Sequence, residues 1–530
     1  MPDDSQSVAK EWMCAGLVPL PVVNFPDPAT RTVADPGVPK HGQICGKNGC
    51  TAQIGRTRAG EPAGNEGLCP RCGTPFSFVP RLSAGDLVAN QYMVVGCLAR
   101  GGQGLVYLAK DTHLDRYVAL KGLINTNDAW ALAMATSERS FLTTLDHPNI
   151  VHIYNFVTYP NPRSGEPIDY IVMEYVDGLS LGEVKEMAAK DQDPLDGPLL
   201  IEHVIAYGIE ILDAFDYLHR HRLLYCDMKP SNVIMSANRI KIIDLGAARR
   251  ADDRNFPIVQ TPDFGVSREE INTRGLTVQS DIHTVGKTLK SLFSASADAL
   301  KSGAELDSSR VSFGIESFLR VLERATHEEA DSRFPSATAM SHQLRGVLRE
   351  ILSLRDGEPR PEPSTVFTGT AALLDAGLGM VPPLDSWTTS RAAGRATALG
   401  DGRPSAVAVA IGLPAPQAAA EDPATDFLAK VSAADPRRLI GKLSTFDQES
   451  VEIQLFECRT RVELAELKEA QGCLDRAEEI LGRAADYDWR MTWHRGLLAL
   501  ANGHIDDAEC QFAEVYRALP GEDAPKLALG

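Results

Sequence analysis

Two neighbouring apolar runs, each broken by charge, narrow the possibilities for this chain most. In YCDMKPSNVIM the polar side chains Asp227, Lys229 and Asn232 precede a run of aliphatic residues, and in KIIDLGAA Asp244 closes a second run. Four such groups in an apolar setting are costly unless they have a task. Phosphoryl transfer from ATP asks for this set: a carboxylate for the incoming hydroxyl, a cation on the transferring group, and oxygen ligands for a metal. Asp227 is expected to orient the hydroxyl and take its proton, and Lys229 to neutralise the phosphoryl group. Asn232 and Asp244 are expected to hold magnesium or manganese against the triphosphate.

The remaining parts of such a site have candidates upstream. LARGGQGLVYLAKD lies between two strand-like runs, so Gly101, Gly102 and Gly104 suit a flap over phosphates, whereas a dinucleotide-binding turn would open a helix. Alone this motif is weak, because Gly-rich hairpins are common and Ala99 stands at the first glycine position. Lys121, inside the apolar run VALKGLI, is placed to reach the alpha and beta phosphates, with Glu138 in the following helix as its ion-pair partner. The plain alternative is a surface Lys and a solvated Glu, which the apolar run around Lys121 disfavours.

At 530 residues the chain exceeds one compact core. A disordered tail is expected over 1–40, a four-cysteine module over 41–80, a bilobal domain over 85–355, a Pro/Ala-rich linker over 356–425 and a helical region over 426–530. Strand-like runs at 92–97, 105–108, 118–123, 152–157 and 170–175, with a helix over 128–145, predict a small sheet lobe. Helical patterns at 200–221, 281–294, 315–326 and 336–354 predict a larger helical lobe. The fold class is multidomain α+β.

In the last region GCLDRAEEIL is echoed by GHIDDAECQF. This resembles the tetratricopeptide helix pair, with Ala477 and Ala508 as the small residues and Leu481 and Phe512 as the bulky ones. An ordinary helical hairpin is the alternative. Stacks of this kind need about three repeats, and another helix opens as the sequence stops, so the chain reads as a shortened member of a longer family.

A net charge of -18 argues against a nucleic-acid partner, which would face a basic patch. No long uncharged apolar stretch and no signal-peptide pattern is present, so a cytoplasmic protein without a transmembrane segment is expected. Among ten cysteines only Cys45, Cys50, Cys69 and Cys72 form a group. Cys69-Pro-Arg-Cys72-Gly reads as a metal knuckle, and the four thiolates suit structural zinc or rubredoxin-type iron. The C-x4-C spacing of the first pair departs from rubredoxin and leans toward zinc.

The motifs CPRCGTPFSFVPRL, DLVANQYMVVGCLARGGQGLVYLA, VALKGL, IVMEYVDGLSL, IDLGAA, DIHTVGKTL and RMTWHRGLLAL cover most of the chain. On these it resembles the actinobacterial protein kinase G family, which joins a rubredoxin-like module, a Ser/Thr protein kinase domain and tetratricopeptide repeats. The resemblance implies transfer of the ATP gamma-phosphate to Ser/Thr of proteins. It implies Met173 as gatekeeper, Glu174 and Val176 as the adenine-binding hinge, Ile234 below the base and Ala119 above it, with Leu98 and Val106 also lining the nucleotide. Each of these could equally be a plain core residue.

A forkhead-associated regulator of 2-oxoglutarate and glutamate metabolism is the substrate the resemblance implies, recruited in part by the helical repeats. Autophosphorylation of the tail, at Thr30 or Thr32, is a further expectation, and by the resemblance the cysteine module is expected near the cleft, in a redox or access-control role. Three departures stand out. Cys226 replaces the Arg that pairs with a phosphorylated activation loop, implying activity without that modification. Leu245 replaces the Phe of DFG, and TPDFGVSREEIN replaces the usual end of the activation segment, leaving Glu270 to pair with Arg333. These departures keep open a pseudokinase scaffold that binds nucleotide and partners without transferring phosphate.

Overall fold

The computed structural model describes residues 12–19, 27–33, 43–45, 50, 52–55, 66–101, 104–122, 142–162, 165, 167–190, 192, 195, 197–236, 239–253, 260–297, 310–369, 405–431 and 435–530. The chain divides into two compact units, one of residues 1–306 with 335–341 and one of 307–334 with 342–530.

The first unit begins where a disordered tail is expected, and its described parts are folded. Trp12–Met13 pairs antiparallel with Val18–Pro19 around a tight turn, burying Met13, Cys14 and Val18. A second turn, Pro28–Arg31, is capped by the Asp27 carboxylate, which accepts from Ala29 N at 2.9 Å. Val33 then bridges to Cys97, its N–H donating to the carbonyl at 2.7 Å. Too few apolar residues are present to predict this order from composition. The segment borrows its core from the domain it lies on, as Arg31 does in reaching Asp177 at 3.6 Å.

Two short hairpins follow, Gln43–Ile44 with Gln53–Ile54 and Glu66–Leu68 with Pro75–Ser77. The sheet lobe comprises β1 (Leu87–Val88), β2 (Tyr92–Gly101), β3 (Gly104–Asp111), β4 (Arg116–Gly122), β5 (Ile153–Pro160) and β6 (Pro167–Glu174). Its spatial order is β5-β6-β4-β3-β2-β1, antiparallel throughout. The five strands expected from periodicity are present, and β1 adds an edge too short to show a period. Most of the expected helix over 128–145 lies outside the described residues. One face of the sheet closes over Val88, Tyr107, Leu120, Tyr170 and Val172.

The helical lobe contains α1 (Leu181–Ala188), α2 (Ile201–Arg220), α3 (Arg268–Arg274) and α4 (Val278–Phe293). Helix α2 is buried along most of its length, including Ile205, Ile209, Leu212, Phe215 and Leu218. This is the central position its continuous apolar stripe demands. Between α2 and α3 a hairpin of β7 (Val233–Met235) and β8 (Ile240–Ile242) carries the charged loop at its open end.

The second unit holds α5 (Val311–Ala325), most of α6 (Ala337–Asp356), α7 (Ala406–Gly412), α8 (Val451–Glu463), α9 (Leu467–Leu481), α10 (Trp489–Ala501), α11 (Ile505–Ala518) and α12 (Asp523–Leu529). The repeated segments fall in α9 and α11, with Ala477, Ala508 and Phe512 buried and Leu481 at the edge of the core. Phe512 packs at 5.0 Å against Trp493, and a Cβ at Gly496 would meet its ring at 2.6 Å. Both ends of the expected linker join this core: the Phe367 ring packs tilted against Trp489 at 5.0 Å and edge-on against Trp493 at 4.9 Å, and Ala410 and Leu413 are buried. A Pro/Ala-rich composition hid these apolar anchors, while 370–404 lie outside the described residues.

Candidate active site

The β7–β8 hairpin explains why residues separated in sequence meet. Val233 pairs with Ile242, and one step beyond, Ile243 N donates to Asn232 O at 2.9 Å, so Asn232 and Asp244 stand at the same end of the ladder. The Asn232 amide donates to the Asp227 carbonyl at 2.9 Å, leaving its Oδ1 for a ligand. Asp244 Oδ1 accepts from Lys121 Nζ at 2.6 Å and from Gly246 N at 2.9 Å, and its Oδ2 has no hydrogen bond among the described residues. One open carboxylate oxygen and one open amide oxygen suit a hard divalent cation. Burial works to raise the Asp244 carboxyl, but the Lys121 ammonium outweighs it and holds the group below the usual carboxylate range.

Asp227 is nearly enclosed. Its Oδ2 accepts from Lys229 Nζ at 2.7 Å, while Oδ1 accepts from the Thr261 hydroxyl at 2.7 Å and its N–H at 3.0 Å. Lys229 also donates to Thr261 Oγ1 at 2.9 Å, closing a three-residue ring. Sequence reasoning passed over Thr261, although it opens the TPDFG segment whose departures were noted. Its link to Asp227 is made only in three dimensions.

The loop carrying Asp227 is pinned from below. Asp281 of α4 accepts from Tyr225 N at 2.8 Å, Cys226 N at 2.7 Å and His219 Nε2 at 2.9 Å. Cys226 is thereby held at φ +72°, a left-handed conformation that a non-Gly residue adopts only under constraint. Burial, reinforced by Asp281, pushes its thiol well above the ordinary range, so it stays uncharged.

Several of the positions expected to line adenine fall on neighbouring strands of the sheet lobe. Ala119 and Met173 are register partners on β4 and β6, and Val106 on β3 lies opposite Lys121. Val176 and Met173 are almost buried, Leu98, Val106, Glu174 and Ile234 half-buried. The Glu174 carboxylate, which sequence reasoning left without a partner, accepts from Lys241 Nζ at 2.7 Å, tying the hinge to β8. Beyond it, a Cβ at Gly178 would lie 2.1 Å from the Met235 carbonyl, so the chain passes there only without a side chain. Gly101 and Gly104 pair across the β2–β3 turn. Gly102 and Glu138 lie outside the described residues. Glu270 is buried and accepts from Ser280 Oγ at 3.2 Å, and Arg333 donates to the His327 and Glu328 carbonyls at 2.6 and 3.0 Å.

In the cysteine module each short hairpin presents two thiols. Gly73, at φ +70°, follows Cys72 and sends its N–H back to the Cys69 carbonyl at 2.9 Å. The four sulfurs lie within 4.8 Å of one another, with Cys45 and Cys72 at 3.5 Å and Cys50 and Cys69 at 3.8 Å. Tetrahedral ligands about 2.3 Å from one ion stand roughly 3.8 Å apart, so the set fits a single metal. The Thr74 hydroxyl and N–H pull the Cys72 thiol down to about 6, favouring the thiolate a metal requires.

A sheet lobe over a helical lobe, with this loop between them, defines a protein kinase domain, and the Protein kinase domain model matches residues 92–367. The flanking regions sharpen the assignment: the Protein kinase G rubredoxin domain matches 7–82 and the Protein kinase G tetratricopeptide repeat 361–530. Serine/threonine-protein kinase PknG of Mycolicibacterium smegmatis is 36% identical over 530 residues, covering 97% of this chain and 66% of that protein. Its namesake in Mycobacterium leprae is 36% identical over 536 residues, covering 97% and 67%. A probable serine/threonine-protein kinase PknB of Lactococcus lactis matches less, at 32% identity over 56% of this chain and 49% of that protein. The chain belongs to the protein kinase G family, and it spans about two thirds of the length of these PknG relatives.

Proposed function

We propose that the chain transfers the gamma-phosphate of ATP to Ser or Thr hydroxyls of proteins. The observation that carries this reading is the Asp227–Lys229–Thr261 ring beside the Asn232–Asp244 pair. The substrate hydroxyl attacks the gamma-phosphorus, its proton passes to the Asp227 carboxylate, and the bond to the ADP oxygen breaks. Lys229 lies beside the same carboxylate and offsets negative charge on the transferring group, and Lys121 is placed for the alpha and beta phosphates. Asn232, through Oδ1, and Asp244, through Oδ2, are the residues that would hold a divalent cation, which would supply charge neutralisation on the phosphates.

An uncharged thiol at position 226 has nothing to offer a phosphorylated loop, whereas Asp281 already fixes the catalytic loop. Activity is therefore independent of activation-loop phosphorylation in this reading. The finer readings, taken from the family, are a forkhead-associated substrate recruited by the helical repeats, a cytoplasmic location, structural zinc or iron in the cysteine module, and autophosphorylation at Thr30 or Thr32. Thr30 is exposed on its turn, which favours it over half-buried Thr32. Among the described residues no helix is long and apolar enough to cross a membrane. Phosphoamino-acid analysis after incubation with ATP, magnesium and a generic protein substrate tests the proposal. Phosphoserine and phosphothreonine are expected; nucleotide binding with no phosphorylated residue would replace the enzyme with a scaffold.

A further inference from the structure

The segment expected to meet the adenine base is held at both of its ends by one hairpin. At its exit, Gly178 passes the Met235 carbonyl without room for a side chain, and Leu179–Ser180 pairs antiparallel with Ile234–Met235 of β7. At its entry the tie is a side chain. Lys241 of β8 donates from Nζ to Glu174 Oε2 at 2.7 Å, with the two side chains only 13% and 25% exposed. The same oxygen accepts the His152 N–H at 3.2 Å, and Glu174 N donates back to the His152 carbonyl at 2.8 Å. Lys241 also reaches the Ile150 carbonyl at 3.4 Å. Glu174 is thereby fixed to the approach of β5 and to β8 at once.

Lys241 and Ile234 are register partners on the hairpin, so they share a face of it, and Ile234 is the residue expected below the base. Beyond Lys241 the same chain reaches Asp244, which stands with Asn232 at the open end of the ladder. One piece of chain therefore supports both the base end and the metal end of the proposed nucleotide site. We infer that Lys241 is a positioning residue for the nucleotide: through Glu174 it holds the hinge in register with the hairpin, so that base and phosphates meet groups already in place. The inference rests on the proposed nucleotide site. Without the ammonium, Glu174 keeps the His152 N–H but loses its link to β8, and each nucleotide that binds must order the hinge. That ordering is subtracted from affinity. A base-free polyphosphate, which does not reach the hinge, escapes the loss.

The test measures, by calorimetry on the full chain with magnesium, the affinity for ADP and for inorganic tripolyphosphate. The proteins compared are native, Lys241→Met, Lys241→Arg, Glu174→Met and the double variant Lys241→Met/Glu174→Met. Lys241→Met is expected to weaken ADP about tenfold, the scale of one hydrogen bond to a charged group, while tripolyphosphate stays within about twofold of native. Lys241→Arg keeps a donor at that place and should recover most of the loss. Adding Lys241→Met to Glu174→Met should change ADP affinity no further, because both substitutions remove the same link. Native ADP affinity in Lys241→Met overturns this inference alone. An equal loss for tripolyphosphate, or a full further loss on adding Lys241→Met to Glu174→Met, also overturns it, since Lys241 would then serve the fold or the phosphates. A native chain that binds neither ligand overturns it together with the nucleotide site. Because binding is measured, the result stands whether or not phosphate is transferred.

Discussion

Cys226 shows how one residue depends on another far along the chain. Its left-handed backbone persists because Asp281 accepts two consecutive N–H groups beneath it. Asp281→Ala leaves those donors buried and unpaired at about 1–3 kcal/mol each. Urea unfolding should therefore show a loss on the order of 3 kcal/mol, together with loss of transfer; a change under about 1 kcal/mol would contradict the pinning role. Asp227, Lys229, Asn232 and Asp244 were conspicuous as candidates because polar residues in apolar runs stand out. Thr261 and Asp281 were not, since a Thr or an Asp in a mixed sequence carries no such signal and each gains meaning only from its partner.

A second titratable residue tests the helical domain. His494 is fully buried in α10, with Nδ1 donating to the Arg490 carbonyl at 2.8 Å, and burial pushes it down from 6.5 to about 4. A depressed folded-state value means that stability is complete above about 6.5 and falls as protons bind the unfolded chain first. At about 1.4 kcal/mol per pH unit, moving from pH 7 to pH 5 costs the domain about 2 kcal/mol. The native melting temperature should fall over this range more than that of His494→Gln; parallel curves would remove the assignment.

At the scale of elements, periodicity revealed the strands of the sheet lobe and the long helices because each has a buried face of regular spacing. The order in the described parts of the tail and linker escaped composition for a common reason: their few apolar residues, Met13 and Val18 in one and Phe367 and Leu413 in the other, complete a core built elsewhere. Phe367, Trp493 and Phe512 form one aromatic column, with Gly496 allowing α10 and α11 to approach. Phe512→Ala should cost about 3–5 kcal/mol in equilibrium unfolding of the helical domain. A loss below about 1 kcal/mol would show that the column does not hold the helix pairs together.

Across the whole molecule, the cysteine module and the N-terminal turn are attached to the domain that carries the cleft. Leu82, just after the module, belongs to the sheet-lobe core, and Arg81 N donates to the Tyr107 hydroxyl on β3 at 2.9 Å. Deleting residues 1–80 should alter the rate of transfer or the affinity for substrate, and an unchanged rate and affinity would remove the module from control. The order of domains was readable from motifs spread along the chain, whereas the metal is not, because four thiolates accept zinc and iron alike.

The central claim is that Asp227 serves as the base of a phosphotransferase. Transfer of labelled gamma-phosphate from ATP and magnesium, onto a generic protein and onto the chain itself, should be compared for the native protein and Asp227→Asn, with ADP affinity measured in parallel. The account predicts transfer by the native chain and a loss of at least about 100-fold in the variant, with ADP affinity retained. Equal transfer by both, or none by a native chain that binds ADP, would contradict it.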